Sequence, residues 1–122
     1  MKFTKTYSKK LHLYLAKENL APTLLAVEEL PNGWKMVVME MIKDATYWDA
    51  GSASQNLKNE LKRALNLMET KKYVHGDLRE PNILVKGDRG IYLFILFYLF
   101  LVLKKMRCFI YFFILFFYSS YF

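Results

Sequence analysis

Apolar side chains recur at helical spacing at Tyr7, Leu11, Tyr14 and Leu15, with Lys9, Lys10, Lys17 and Glu18 set around them. The spacing predicts an amphipathic helix over residues 7–18, with Thr6 as its N-cap. Leu20-Ala21-Pro22 is expected to end it, because Pro22 disfavours helical geometry at Ala21 and cannot continue the hydrogen-bond ladder. Two short apolar runs follow, residues 23–28 and 34–40, separated by Pro31-Asn32-Gly33. An Asn-Gly pair tolerates positive φ, so these segments predict a β-hairpin. Residues 44–54 are polar and interrupted by Gly51, which predicts a connector with at most a short helical turn. Leu57, Leu61, Ala64, Leu65 and Met68 mark one face of a second helix from Ser54 to about Thr70. Lys71 and Lys72 follow, where cations suit the negative end of a helix dipole. Ile83-Leu84-Val85 reads as a strand closed by the turn Lys86-Gly87-Asp88-Arg89-Gly90.

A chain of 122 residues holds one small domain at most. The net charge is +7, but every one of the 11 acidic residues lies at or before Asp88. Residues 1–90 therefore form a mixed, mildly basic surface, with no basic stripe interleaved with aromatics, and nucleic acid is not an expected partner. The single cysteine, Cys108, excludes an internal disulfide and a cysteine-based metal site. The N-terminal segment has no apolar core behind its lysines, so it is not a signal peptide, and residues 1–90 are expected in the cytoplasm.

Beyond Gly90 the alphabet changes. Residues 91–122 hold nine of the 10 Phe and five of the nine Tyr, with no Gly, Ala, Pro, Asp or Glu. Residues 91–103 and 108–118 are apolar runs on either side of Lys104, Lys105 and Arg107. Neither run reaches the roughly 20 residues that span a bilayer as a helix. Three readings stay open: a distorted or re-entrant membrane segment over 91–118, an interfacial anchor, or sequence with no selected fold. Alternating Phe, Tyr, Ile and Leu is what AT-rich non-coding DNA yields on translation, which favours the last.

The run Lys72-Tyr73-Val74-His75-Gly76-Asp77-Leu78-Arg79-Glu80-Pro81-Asn82-Ile83-Leu84-Val85 joins the second helix to the last strand. An Asp in a tight loop can accept a proton from a hydroxyl, and an Asn five residues on can reach a metal ion that carries phosphate oxygens. His75, Asp77, Leu78 and Asn82 resemble the catalytic loop of the protein-kinase-like superfamily, with Gly76 in place of the usual Arg, as in its atypical and small-molecule kinases. The resemblance covers about residues 1–94. It implies an α+β, partial protein-kinase-like fold: a partial small lobe with hinge at 1–43, a partial large lobe with catalytic loop at 44–90, and a hydrophobic tail at 91–122.

By that resemblance Asp77 is the catalytic base, Asn82 a Mg²⁺ ligand and His75 the buttress of the loop. Arg79 stands where a cation would face the transferred phosphate, and it is equally spaced for a surface ion pair with Glu80. Residues 37–42 resemble the hinge strand over which the adenine of ATP lies. Met39 is then the gatekeeper, and the Glu40 carbonyl and Ile42 amide face the adenine edge. Lys2 would be the ATP-binding lysine, or simply a solvated lysine near the N-terminus. The first helix, which by the resemblance should offer a Glu to this Lys, carries Lys9 and Lys10 in its first turns and Glu18 only at its far end, so that ion pair is not expected. The Gly-rich phosphate loop has no counterpart here. The metal-binding Asp expected about thirteen positions after Asn82 falls on Ile95, and no Asp follows Asp88. Asp88 is too close to Asn82 to replace it. The expectation is an ATP-dependent phosphotransferase acting on a hydroxyl, truncated and with little or no activity. The rival is a membrane-tethered pseudokinase-like binding module.

Overall fold

A computed structural model of the chain describes residues 1–75, 78–88, 90–93 and 99–100. The elements run β1 (Lys2–Thr4), α1 (Lys9–Lys17), β2 (Leu24–Glu29), β3 (Lys35–Met39), β4 (Thr46–Tyr47), α2 (Gln55–Thr70), β5 (Tyr73–Val74), β6 (Ile83–Lys86), β7 (Gly90–Leu93) and β8 (Leu99–Phe100). The architecture is α+β, as the hydrophobic pattern predicts. One antiparallel sheet has the order β1-β3-β2, a second the order β4-β6-β7, and β5 pairs with β8.

The first helix starts and stops differently from the expectation. Its N-cap is Ser8 rather than Thr6: the Ser8 hydroxyl accepts the Leu11 N–H at 3.2 Å, while the Thr6 N–H donates to Thr4 Oγ1. Tyr7 is therefore outside the helix. At the other end Asn19 adopts φ 58°, the Asn19 N–H donates to Ala16 O, and the Leu20 N–H donates to Leu15 O at 2.8 Å. That is a Schellman closure, and Leu15 and Leu20, the residues it joins, are both fully buried in the core. The helix ends at Lys17 because Asn19 tolerates the left-handed conformation, five residues before Pro22 could have stopped it.

The hairpin forms as expected, with Asn32 at φ 61° and Gly33 at φ 76° between β2 and β3. In α2 the Ser54 hydroxyl accepts the Leu57 N–H, and Leu57, Leu61, Ala64 and Met68 form the buried stripe. They pack with Leu11, Leu15, Trp48, Ile83, Ile91 and Leu93 into one core. This core joins residues from both sides of position 43. Arg63 links the helices: it pairs with Glu60 at 3.0 Å and Glu18 at 3.7 Å, and donates to the Glu18 carbonyl.

Two stretches carry more structure than their sequence suggests. The polar connector contains β4, which pairs with β6, and Trp48, whose backbone N–H donates to Ile83 O and whose ring is buried. A two-residue strand is too short to show a period. The change of alphabet at Gly90 is also not the end of the fold. β7 runs across it, turned back by Gly87 at φ +63°, with Ile91 and Leu93 fully buried and the Leu93 N–H donating to Leu20 O at 2.8 Å. With β8 also paired, residues 91–93 and 99–100 of the first apolar run belong to antiparallel pairs. Among the described residues no helix is long and apolar enough to cross a membrane. The remainder of the tail lies outside the described residues.

Candidate functional site

The loop after β5 is held by its apolar and polar neighbours alike. His75 is buried at its start and Leu78 packs into the core. A 3-10 turn over Glu80–Asn82 follows, its second residue Pro81 having φ already set and no N–H to satisfy. The Asn82 N–H donates to Arg79 O at 2.8 Å, which closes the turn and leaves Asn82 only 5% exposed. Arg79 and Glu80 are exposed. Gly76 and Asp77 lie outside the described residues, so the proposed base has no described position.

From Asn82 the chain enters β6, whose alternation sends Ile83 into the core and Leu84 the other way. Leu84 lines a cleft of about 230 Å³ together with Met1, Lys2, Met39, Glu40, Met41 and Ile42. The fold thus brings Lys2, Met39, Glu40 and Ile42 to one place. Lys2 and Met39 belong to neighbouring strands and share a sheet face, since Lys2 is opposite Val37 in register. Leu84, Met1 and Met41 were not singled out from the sequence. A signal for Leu84 existed in strand alternation, given that Ile83 is inward.

Glu40 is held in place where β3 leaves the sheet. Its carboxylate Oε1 accepts both the Thr23 N–H and the Thr23 hydroxyl, each at 2.9 Å, and the Glu40 N–H donates to Thr23 O at 2.9 Å. The Thr23 N–H and then its hydroxyl hold the carboxyl below the usual glutamate range, opposed by desolvation, with the Lys86 charge on β6 the least of the lowering effects. The Glu40 side chain thus turns back to its own sheet. Among the described residues, the Glu40 carbonyl and the Ile42 amide enter no backbone hydrogen bond.

Glu18 is committed to Arg63. Asp88 is also committed elsewhere: its Oδ2 accepts from Asn56 Nδ2 at 2.9 Å and its carbonyl accepts from the Ser54 hydroxyl, both at the start of α2. Among the described residues no group of three or more His, Cys, Asp or Glu could hold a metal ion.

His12 was missed as well. It is fully buried on α1, its Nε2 donates to Pro22 O at 2.7 Å, and its Nδ1 faces the Tyr7 hydroxyl at 2.9 Å. Its place between Leu11 and Leu15 on the apolar stripe was the available signal. No family model, curated protein or solved structure matches the chain.

Proposed function

We propose that the chain is a nucleotide-binding, kinase-like protein that takes the flat ring of ATP in the cleft between the β1-β3-β2 sheet and β6. The observation that carries this reading is the meeting of two separately chosen segments. Residues 39–42, read as a hinge, and Leu84, two residues beyond Asn82, line the same cleft. The walls suit a flat apolar ring: thioethers and a leucine on its faces, with the Glu40 carbonyl and Ile42 amide supplying one acceptor and one donor. At about 230 Å³ the cleft is smaller than the roughly 300–1,000 Å³ of sites that enclose a whole small ligand, so sugar and phosphates would extend outside it. Lys2 on the same sheet face supplies positive charge toward them.

In this reading Asp77 takes the proton of an acceptor hydroxyl and His75 and Leu78 anchor the loop that carries it. When bound, Mg²⁺ would neutralise phosphate charge, with Asn82 as a ligand. With Ile95 at the position where the resemblance puts the metal-binding Asp, the charge neutralisation on which phosphoryl transfer depends is weak. ATP binding with little or no transfer is the expected outcome. Isothermal titration of the chain with ATP should show saturable binding that Leu84→Trp abolishes by filling the cleft. In a radiolabelled ATP transfer assay, turnover removed by Asp77→Ala would overturn the inactive assignment, and absence of binding would overturn the reading itself.

A second reading, the same module held at a membrane, rests on the Phe- and Tyr-rich, acid-free composition after Leu93.

A further inference from the structure

The cleft wall at Glu40 depends on a residue that does not line the cleft. The β2–β3 ladder is irregular at this end, because the register shifts between Leu24 and Ala26. A bulge of this kind locally disrupts the ladder and bends its strand. Beyond the bulge a single pair, Leu24 with Met39, ties β3 to β2 before the chain turns into residues 40–42. Three hydrogen bonds between Thr23 and Glu40, two into Oε1 and one from the Glu40 amide, extend and close the ladder there. They fix both the backbone and the side chain of the same residue.

We propose that Thr23 is a positioning residue for the cleft, fixing through Glu40 the direction in which the backbone of residues 40–42 faces a bound nucleotide. The inference rests on the nucleotide reading above and adds to it a residue outside the lining. The Glu40 carboxylate is a clasp on its own sheet and not a ligand-reading group. Thr23 is exposed, so its hydroxyl can be removed without opening the core.

The test uses the full chain in three forms: unaltered, Thr23→Val, which keeps the branched shape and loses the hydroxyl, and Thr23→Ser, which keeps it. Two readouts are taken: ATP affinity by isothermal titration, and amide hydrogen exchange at Thr23 and Glu40 without ligand. Thr23→Val should weaken ATP binding about threefold to tenfold, the span of one ordinary hydrogen bond, and speed exchange at both amides. Thr23→Ser should restore both. If the unaltered chain binds ATP and Thr23→Val binds it equally well, the positioning role is overturned. Unchanged amide exchange overturns the clasp itself. If the unaltered chain binds no ATP, the nucleotide reading fails, and the positioning role fails with it even where exchange shows the clasp intact.

Discussion

Two bonds define the state of His12. The Pro22 carbonyl can only accept, so Nε2 carries the proton, and in the neutral ring Nδ1 then accepts from the Tyr7 hydroxyl. Burial lowers the pKa of His12, opposed by the Pro22 bond, and burial raises that of Tyr7, so both groups stay neutral near pH 7. The sign of the linkage follows. Below about pH 6.5 the unfolded chain binds a proton that folded His12 resists, so stability is complete above that value and falls as the pH drops toward the folded pKa. Urea midpoints should therefore decrease between pH 7 and 5, and the slope should be shallower in His12→Gln. Equal slopes would remove His12 as the cause. Glu40 acts in a lower window: its depressed pKa stabilises the fold above about pH 4.5 and that contribution is lost as the pH falls further.

At the scale of elements, the helices were legible because their signals are local. The stripe of Leu57, Leu61, Ala64 and Met68 repeats on a single helix face, and Ser54 is spaced to cap it. The start of α1 was misassigned by two residues because Thr6 and Ser8 have the same capping chemistry, and only backbone geometry separates them. β7 is the larger departure. Its four residues straddle a compositional boundary, yet Ile91 and Leu93 fill the core against α2 and Trp48. Leu93→Ala should cost about 2–5 kcal/mol in chemical denaturation, the range for truncating a buried leucine. Leu13→Ala, at an exposed helix position, should change stability by less than about 0.5 kcal/mol. A neutral Leu93→Ala would place the end of the fold at Gly90 after all.

At the scale of the molecule, the core and the cleft draw on different elements. The core is assembled from α1, α2, Trp48, β6 and β7, and the cleft from β1, the end of β3 with residues 40–42, and β6. The membrane reading belongs here because it concerns the tail's relation to the whole. Ile91 and Leu93 are buried in the fold, so any anchor lies beyond them. A strongly apolar, acid-free stretch either finds a bilayer or partner or drives aggregation. Membrane attachment predicts that the full chain resists alkaline carbonate extraction while a chain ending at Phe100 is released. Release of both would leave the second reading without support.

The amino-acid sequence by itself determined what neighbours along the chain decide: the amphipathic stripes of both helices, the hairpin whose Asn32 and Gly33 accept positive φ, the strand after Asn82, and the break in alphabet at Gly90. Each is a period or a backbone preference within a few residues. The tertiary structure alone decided that Leu84 and Lys2 line one cleft, that Glu18 pairs with Arg63, and that Thr23 clasps Glu40. It also decided that Trp48 is core and that β7 carries the fold past Gly90. These are pairings between residues 17 to 82 positions apart, where the path of the backbone, and no local period, sets which side chains meet.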